Sequence, residues 1–185
     1  MQARVCWTIA VQGCRILIDP LTVGYMRNFR RTLCVGLLFP LIASSSMADR
    51  LRLAWPTKNK AYAEGRPLED YIQPTVSGRV ESGLFGCVRT EGWQFHEALD
   101  LKSVERDRRG EPTDEVFAVM GGVVRHVSYH PGKSIYGRYI VIEHVDAALP
   151  VITLYAHLAS IVSGVRPGSK IEIGTSIGVM GRSAG

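Results

Sequence analysis

His96 and Asp100 stand four residues apart in the apolar run Phe95-His96-Glu97-Ala98-Leu99-Asp100-Leu101. Four is an even number, so on a strand both side chains leave the same face, and on a helix the same spacing is one turn. Either geometry lets an imidazole nitrogen and a carboxylate oxygen reach one ion at about 2.0–2.2 Å, the distances at which zinc takes such donors. The pair is a candidate half-site for zinc. H-x-x-x-D arises by chance on many surfaces, so the rest of the chain must supply the context.

A third candidate is His157, in the run Val151-Ile152-Thr153-Leu154-Tyr155-Ala156-His157-Leu158. Strand alternation puts Ile152, Leu154, Ala156 and Leu158 on one side and Val151, Thr153, Tyr155 and His157 on the other. The first set reads as the packing face, which turns His157 with Thr153 and Tyr155 toward a groove. His126 and His130 are also four apart, but Pro131-Gly132 follows at once and the pair reads as solvent-facing. His144 reads as lying beside a turn. Glu97 adjoins His96 and would leave a strand on the opposite face, so it is not assigned as a base.

The elements that must position these side chains are short strands. Val116–Met120 and Val123–Val127 flank Gly121-Gly122, a hairpin signal. Tyr139–His144 and 151–158 alternate, and Lys170–Gly174 and Ser176–Gly181 follow turn residues. No segment beyond residue 77 keeps a 3.6-residue period. The fold class expected is all-β, an antiparallel sandwich or half-barrel of short strands.

Ahead of this body, Met26 to Ala48 has the layout of a secretory signal peptide. Met-Arg-Asn-Phe-Arg-Arg is basic, a dozen apolar residues follow, and Ser46 and Ala48 are small. The apolar run is shorter than the roughly 20 residues a membrane-crossing helix needs. Residues 1–25 add nothing a signal needs and read as an over-extended N-terminus. Residues 49–76, with recurring Pro and Gly, read as an extended linker or lead-in. The domain then spans 77–185, and the expected location is outside the cytoplasm: periplasm, cell envelope or medium.

The net charge of +5 would suggest nucleic acid if it were spread over the body. It is not. Arg4, Arg15, Arg27, Arg30 and Arg31 against Asp19 put +4 of it ahead of Asp49. No nucleic-acid partner is expected. Of Cys6, Cys14, Cys34 and Cys87, only Cys87 would outlast cleavage after Ala48, so no disulfide framework is expected. Cys87 itself reads as a small buried residue.

In this order, several motifs resemble the lysostaphin-type (LytM-like) zinc metallopeptidase domain. They are Ser82-Gly83-Leu84-Phe85-Gly86, Phe95-His96-Glu97-Ala98-Leu99-Asp100, the Ala118–Val124 turn, Tyr136–His144, Tyr155-Ala156-His157-Leu158, and the spaced Gly168, Gly174 and Gly178. The resemblance implies a bound Zn2+ and a peptidase that cuts peptide bridges of peptidoglycan. It implies His96 and Asp100 as two zinc ligands and His157 as an acid/base group or transition-state stabiliser.

Two departures accompany the resemblance. Ala98 replaces the usual glycine of H-x-G-x-D, which is tolerable with negative φ and nothing packed against its Cα. The family's later H-x-H motif, source of the third ligand, is absent past Gly181-Arg182-Ser183-Ala184-Gly185. The expectation is therefore a C-terminally incomplete domain with zinc weakly held or absent and one sheet edge uncovered. The competing reading is a catalytically dead LytM-like module that binds cell wall or activates another hydrolase. A biotinyl- or lipoyl-like carrier is disfavoured, because Met120 and Met180 are followed by glycine rather than lysine.

Overall fold

A computed structural model describes residues 52–144 and 151–183 in full and Val5–Val11 by backbone. The regular elements are β-strands and single 3-10 turns, with no α-helix among the described residues. None of these residues forms a helix long and apolar enough to cross a membrane. The signal-like segment at Met26–Ala48 lies outside the described residues.

The strands, in chain order, are β1 (Val5–Val11), β2 (Gly86–Arg89), β3 (Gln94–His96), β4 (Leu99–Leu101), β5 (Glu115–Phe117) and β6 (Gly122–Ser128). They continue with β7 (Tyr139–His144), β8 (Val151–Tyr155), β9 (Ser160–Ile161), β10 (Lys170–Ile171) and β11 (Ser176–Val179). A six-stranded sheet runs β10-β6-β7-β8-β1-β4, a smaller one runs β5-β11-β9, and β2 pairs with β3 alone. Every pairing is antiparallel. The expected all-β antiparallel class is the one observed.

The β6–β7–β8 meander follows from its β-branched, alternating sequences. Ile140 and Ile142 of β7 are fully buried while Val141 and Glu143, each following one of them, are not. They join Val116, Ala118, Val119, Val124, Tyr155, Leu158, Ile177 and Met180 in one apolar core. Burial on this scale is the main favourable contribution to the fold.

Ala156 and Leu158 are buried as expected, but Val151–Tyr155 faces the other way from the expectation. Val151, Thr153 and Tyr155 are buried, and Ile152 and Leu154 are half-exposed. Thr153 and Tyr155 reach inward because a buried polar relay receives them. The Val119 N–H donates to the Tyr155 hydroxyl at 2.9 Å, and the Tyr155 and Thr153 hydroxyls lie 3.2 Å apart. Thr153 Oγ1 lies 2.8 Å from His144 Nε2, and His144 Nδ1 lies 2.8 Å from the Gly121 carbonyl. A carbonyl only accepts, so Nδ1 carries the proton and Thr153 donates to Nε2. His144 is thus a core histidine at the end of β7, and the residues after it, 145–150, lie outside the described ones.

Gly121-Gly122 does not form a hairpin either. It carries the chain from β5 in the small sheet to β6 in the large one. A Cβ at Gly122 would fall 2.3 Å from the Glu143 carbonyl oxygen. The glycine serves close approach of backbones rather than a turn.

Residues 52–76 hold a hydrogen-bonded turn at 61–65 and a 3-10 turn at Leu68–Asp70, and they are not a free linker. Ile72 is in the core, and Trp55 stacks on Tyr62 at 4.6 Å. Ala54 N–H bonds to Val119 O, and Gln73 N–H to Asp100 O. Three aromatic rings, Trp55, Tyr62 and Tyr71, draw the segment onto the body. Cys87 is exposed, contrary to its reading as a buried residue; it sits on β2, paired only with β3.

The large sheet ends on β10 and β4 among the described residues. β1, from the far end of the chain, lies between β8 and β4 and pairs with both.

Candidate metal centre

His96 closes β3 and Asp100 is the middle residue of β4, so the pair spans the point where the chain leaves the β2–β3 hairpin for the large sheet. The strand is broken at Glu97-Ala98, yet the two side chains converge. His96 Nε2 lies 3.5 Å from Asp100 Oδ1, and both residues are buried.

Each partner is oriented from behind. His96 Nδ1 lies 2.7 Å from the Leu84 carbonyl oxygen, so Nδ1 carries a proton and Nε2 is the ring nitrogen that faces Asp100. Arg89 on β2 donates to Asp100 Oδ2 at 2.8 Å, which directs Oδ1 toward His96. His96 Nε2 and Asp100 Oδ1 thus face each other at a distance beyond an ordinary hydrogen bond. Two ligands of a tetrahedral zinc at about 2.1 Å would stand about 3.4 Å apart. Backbone carbonyl behind imidazole and guanidinium behind carboxylate are the outer partners that metal ligands use. The donors present therefore fit zinc. Arg89 was not legible as a partner, because eleven residues separate it from Asp100.

His157 lies just past β8 and has φ of 59°, in the left-handed region that is uncommon for a non-glycine residue. Alternation therefore fails at this residue, and its side chain is not on the Thr153–Tyr155 face. Its backbone N–H donates to Tyr136 O at 2.8 Å, and its Nδ1 lies 2.8 Å from Ser183 O. The Nδ1 proton is fixed as in His96. Strained backbone held by several outside bonds is characteristic of functional positions.

The segments carrying these residues are neighbours. Ala98, two residues after His96, packs with Ala156, the residue before His157, in a small buried cluster beside Tyr136, Tyr139 and Leu154. The Tyr136 hydroxyl also donates to Glu97. Ala98 does not have positive φ, which meets one condition for replacing glycine. Its methyl is packed all the same, and it fits because residue 156 is also alanine. His126 stacks on Tyr139 with ring centroids 5.3 Å apart, and both His126 and His130 are exposed as expected.

Residues 94–185 match the model of peptidase family M23. The chain carries a LytM-type peptidase domain of that family. No curated protein and no solved structure matches the chain. Peptidases of family M23 are generally zinc-dependent, and the His96–Asp100 pair of this M23 domain has the donor chemistry for that ion. Among the described residues, no three His, Cys, Asp or Glu side chains form a group that could hold a metal. The pair alone is short of the three protein ligands of a catalytic zinc.

Within the matched residues, Gly181-Arg182-Ser183-Ala184-Gly185 has the spacing of a serine-hydrolase nucleophile motif, which sits on a strand-to-helix elbow. Here Ser183 follows β11, and its Oγ accepts the Arg138 N–H at 2.8 Å. Ser183 serves as a brace: its carbonyl holds His157 Nδ1.

Proposed function

We propose that the protein is a zinc-dependent endopeptidase acting on the peptide bridges of peptidoglycan. The observation that carries this reading is the buried His96–Asp100 pair, 3.5 Å apart and braced by Leu84 O and Arg89. His96 and Asp100 would hold the ion. When bound, zinc supplies an acidified water and polarises the scissile carbonyl.

The remaining roles fall to this chain's own groups. His157, with Nδ1 tied to Ser183, presents Nε2 to accept a proton and, once protonated, to donate a hydrogen bond to developing negative charge. Phe85 and Phe95 are exposed, stack edge to face at 5.1 Å, and flank His96. They offer an apolar platform for a bound peptide. The Met26–Ala48 segment supports export to the compartment where cell wall is found.

The second reading, a wall-binding or activating module without activity, draws on the absence of a three-residue metal cluster among the described residues. Incubating the full chain and zinc with purified peptidoglycan separates the two. New amino termini detected by mass spectrometry, lost in His157→Ala and in Asp100→Ala, support the peptidase. Wall binding without any new terminus supports the module and overturns the peptidase.

A further inference from the structure

Glu97 lies inside the His96–Asp100 stretch, and the zinc chemistry gives it no task. His96 and Ala98 on either side of it are buried, and Glu97 is exposed. With His96 and Asp100 it forms no three-residue metal group among the described residues. Its carboxylate is held instead by Tyr136, whose hydroxyl donates to it. Tyr136 reaches both halves of the candidate site. Its carbonyl oxygen accepts the His157 N–H at 2.8 Å, and its ring packs beside Ala98 and Ala156. One residue thus ties the Glu97 carboxylate to the turn that carries His157.

An apolar surface lies next to this carboxylate. Phe95 and Glu97 flank the buried His96 and are both exposed. Phe95 stacks edge to face on the exposed Phe85 at 5.1 Å. Consecutive Cα atoms stand about 3.8 Å apart, so rings, carboxylate and metal ligand fall within one side-chain length. An ionised carboxylate only accepts, through about four lone-pair sites, and one phenol occupies a single one of them. The side chain that suits such a surface has an aliphatic stem to lie on the rings and an ammonium at its tip to meet the carboxylate.

We propose that Glu97, positioned by Tyr136, selects peptides that carry a free amine on an aliphatic stem beside the bond to be cut. This rests on the reading of the domain as a peptidoglycan peptidase and names the substrate class that its site prefers. Glu97 acts as a specificity residue. The Tyr136 bond fixes the carboxylate in advance, which lowers the ordering cost of binding. Acetylating the amine removes the charge that Glu97 would pair, so discrimination follows from the loss of one partner.

Wall peptides whose unlinked side-chain amines are free, and the same peptides acetylated, are the probes. Binding to the full chain is read by calorimetry, and hydrolysis in the presence of zinc by mass spectrometry. The free-amine form is expected to bind about 5–10-fold more tightly, the range of an exposed charge-assisted hydrogen bond. It is cut with the same advantage in kcat/KM, carried by KM. Glu97→Gln brings the ratio of the two forms near one, Glu97→Lys reverses it, and Tyr136→Phe lowers it partway. In the unaltered chain the preference shrinks as salt is raised, a readout that needs no variant to fold. A ratio near one in the unaltered chain, or a ratio kept in Glu97→Gln, overturns the assignment. Equal cleavage of both forms does so while leaving the peptidase reading standing. A binding preference without cleavage supports Glu97 as the selector and overturns the peptidase. Neither binding nor cleavage of either form overturns both.

Discussion

The guanidinium of Arg89 lies 2.8 Å from Oδ2 of Asp100, a carboxylate that is 1% exposed. A buried carboxylate without its counter-charge is strongly unfavourable. Arg89 therefore does two things: it permits the charge and it turns Oδ1 toward His96. Arg89→Ala is expected to weaken zinc binding on the order of 10–100-fold. Arg89→Lys recovers part of the affinity, since an ammonium supplies charge without the planar fork. Competitive zinc titration checks both, and unchanged affinity in Arg89→Ala removes the bracing role.

Gly137 has φ of +63°, and a Cβ there would fall 2.3 Å from the Ser183 carbonyl oxygen, the acceptor for His157 Nδ1. Gly137→Ala must displace Ser183 and release the His157 ring. The metal pair is held by Leu84 O and Arg89. Peptidoglycan hydrolysis by this variant is expected to fall by on the order of 10–100-fold, a 1 Å misplacement being enough for such a loss. Zinc affinity stays within about twofold. Equal loss of both would place Gly137 in the general fold rather than in His157 positioning.

The His144 imidazole is fully buried and its pKa is lowered from 6.5, chiefly by desolvation, with the Gly121 carbonyl opposing. A group whose folded pKa is depressed binds fewer protons in the folded state, so stability rises with pH across the interval between the two values. The contribution is complete above the unfolded value near 6.5 and is lost as pH falls toward the folded one. Thermal melts of the full chain should drop as pH is lowered through this window. Proton NMR should show the His144 ring still neutral at pH 6.5; a ring that titrates at or above 6.5 contradicts the relay. Thr153→Val leaves the buried Nε2 without its donor and should destabilise by about 1–3 kcal/mol at neutral pH.

Much of this architecture could be read from the residues in order. Alternation in Tyr139–His144 marked β7 with its bounds, because both of its faces have distinct environments. The His96–Asp100 spacing pointed to convergence, which the structure delivers through a broken strand. Alternation misled in 151–158 because a buried hydrogen-bond relay makes Thr153 and Tyr155 core residues, and because His157 leaves the strand at positive φ. Gly121-Gly122 read as a turn for want of a signal that distinguishes close approach from reversal. Arg89 and β1 were invisible for a different reason. Pairing between residues 6 and 100 is a property of the assembled sheet, and no local pattern encodes it.

Ala98 joins the two halves of the candidate site, and its size is the variable to test. It is 2% exposed and packs against Ala156, which is fully buried. Ala98→Val adds two methyl groups where a well-filled contact has no room, and overpacking of this kind costs about 1–3 kcal/mol. The strain acts along the line between the His96–Asp100 pair and His157, so zinc affinity and hydrolysis should fall together. Ala98→Gly removes the methyl and loosens the backbone, at about 0.5–1 kcal/mol, with the site geometry kept. Denaturant melts and zinc titration on the two variants give the answer. If Ala98→Val binds zinc and cuts peptidoglycan like the unaltered chain, the contact between Ala98 and Ala156 does not hold the site together.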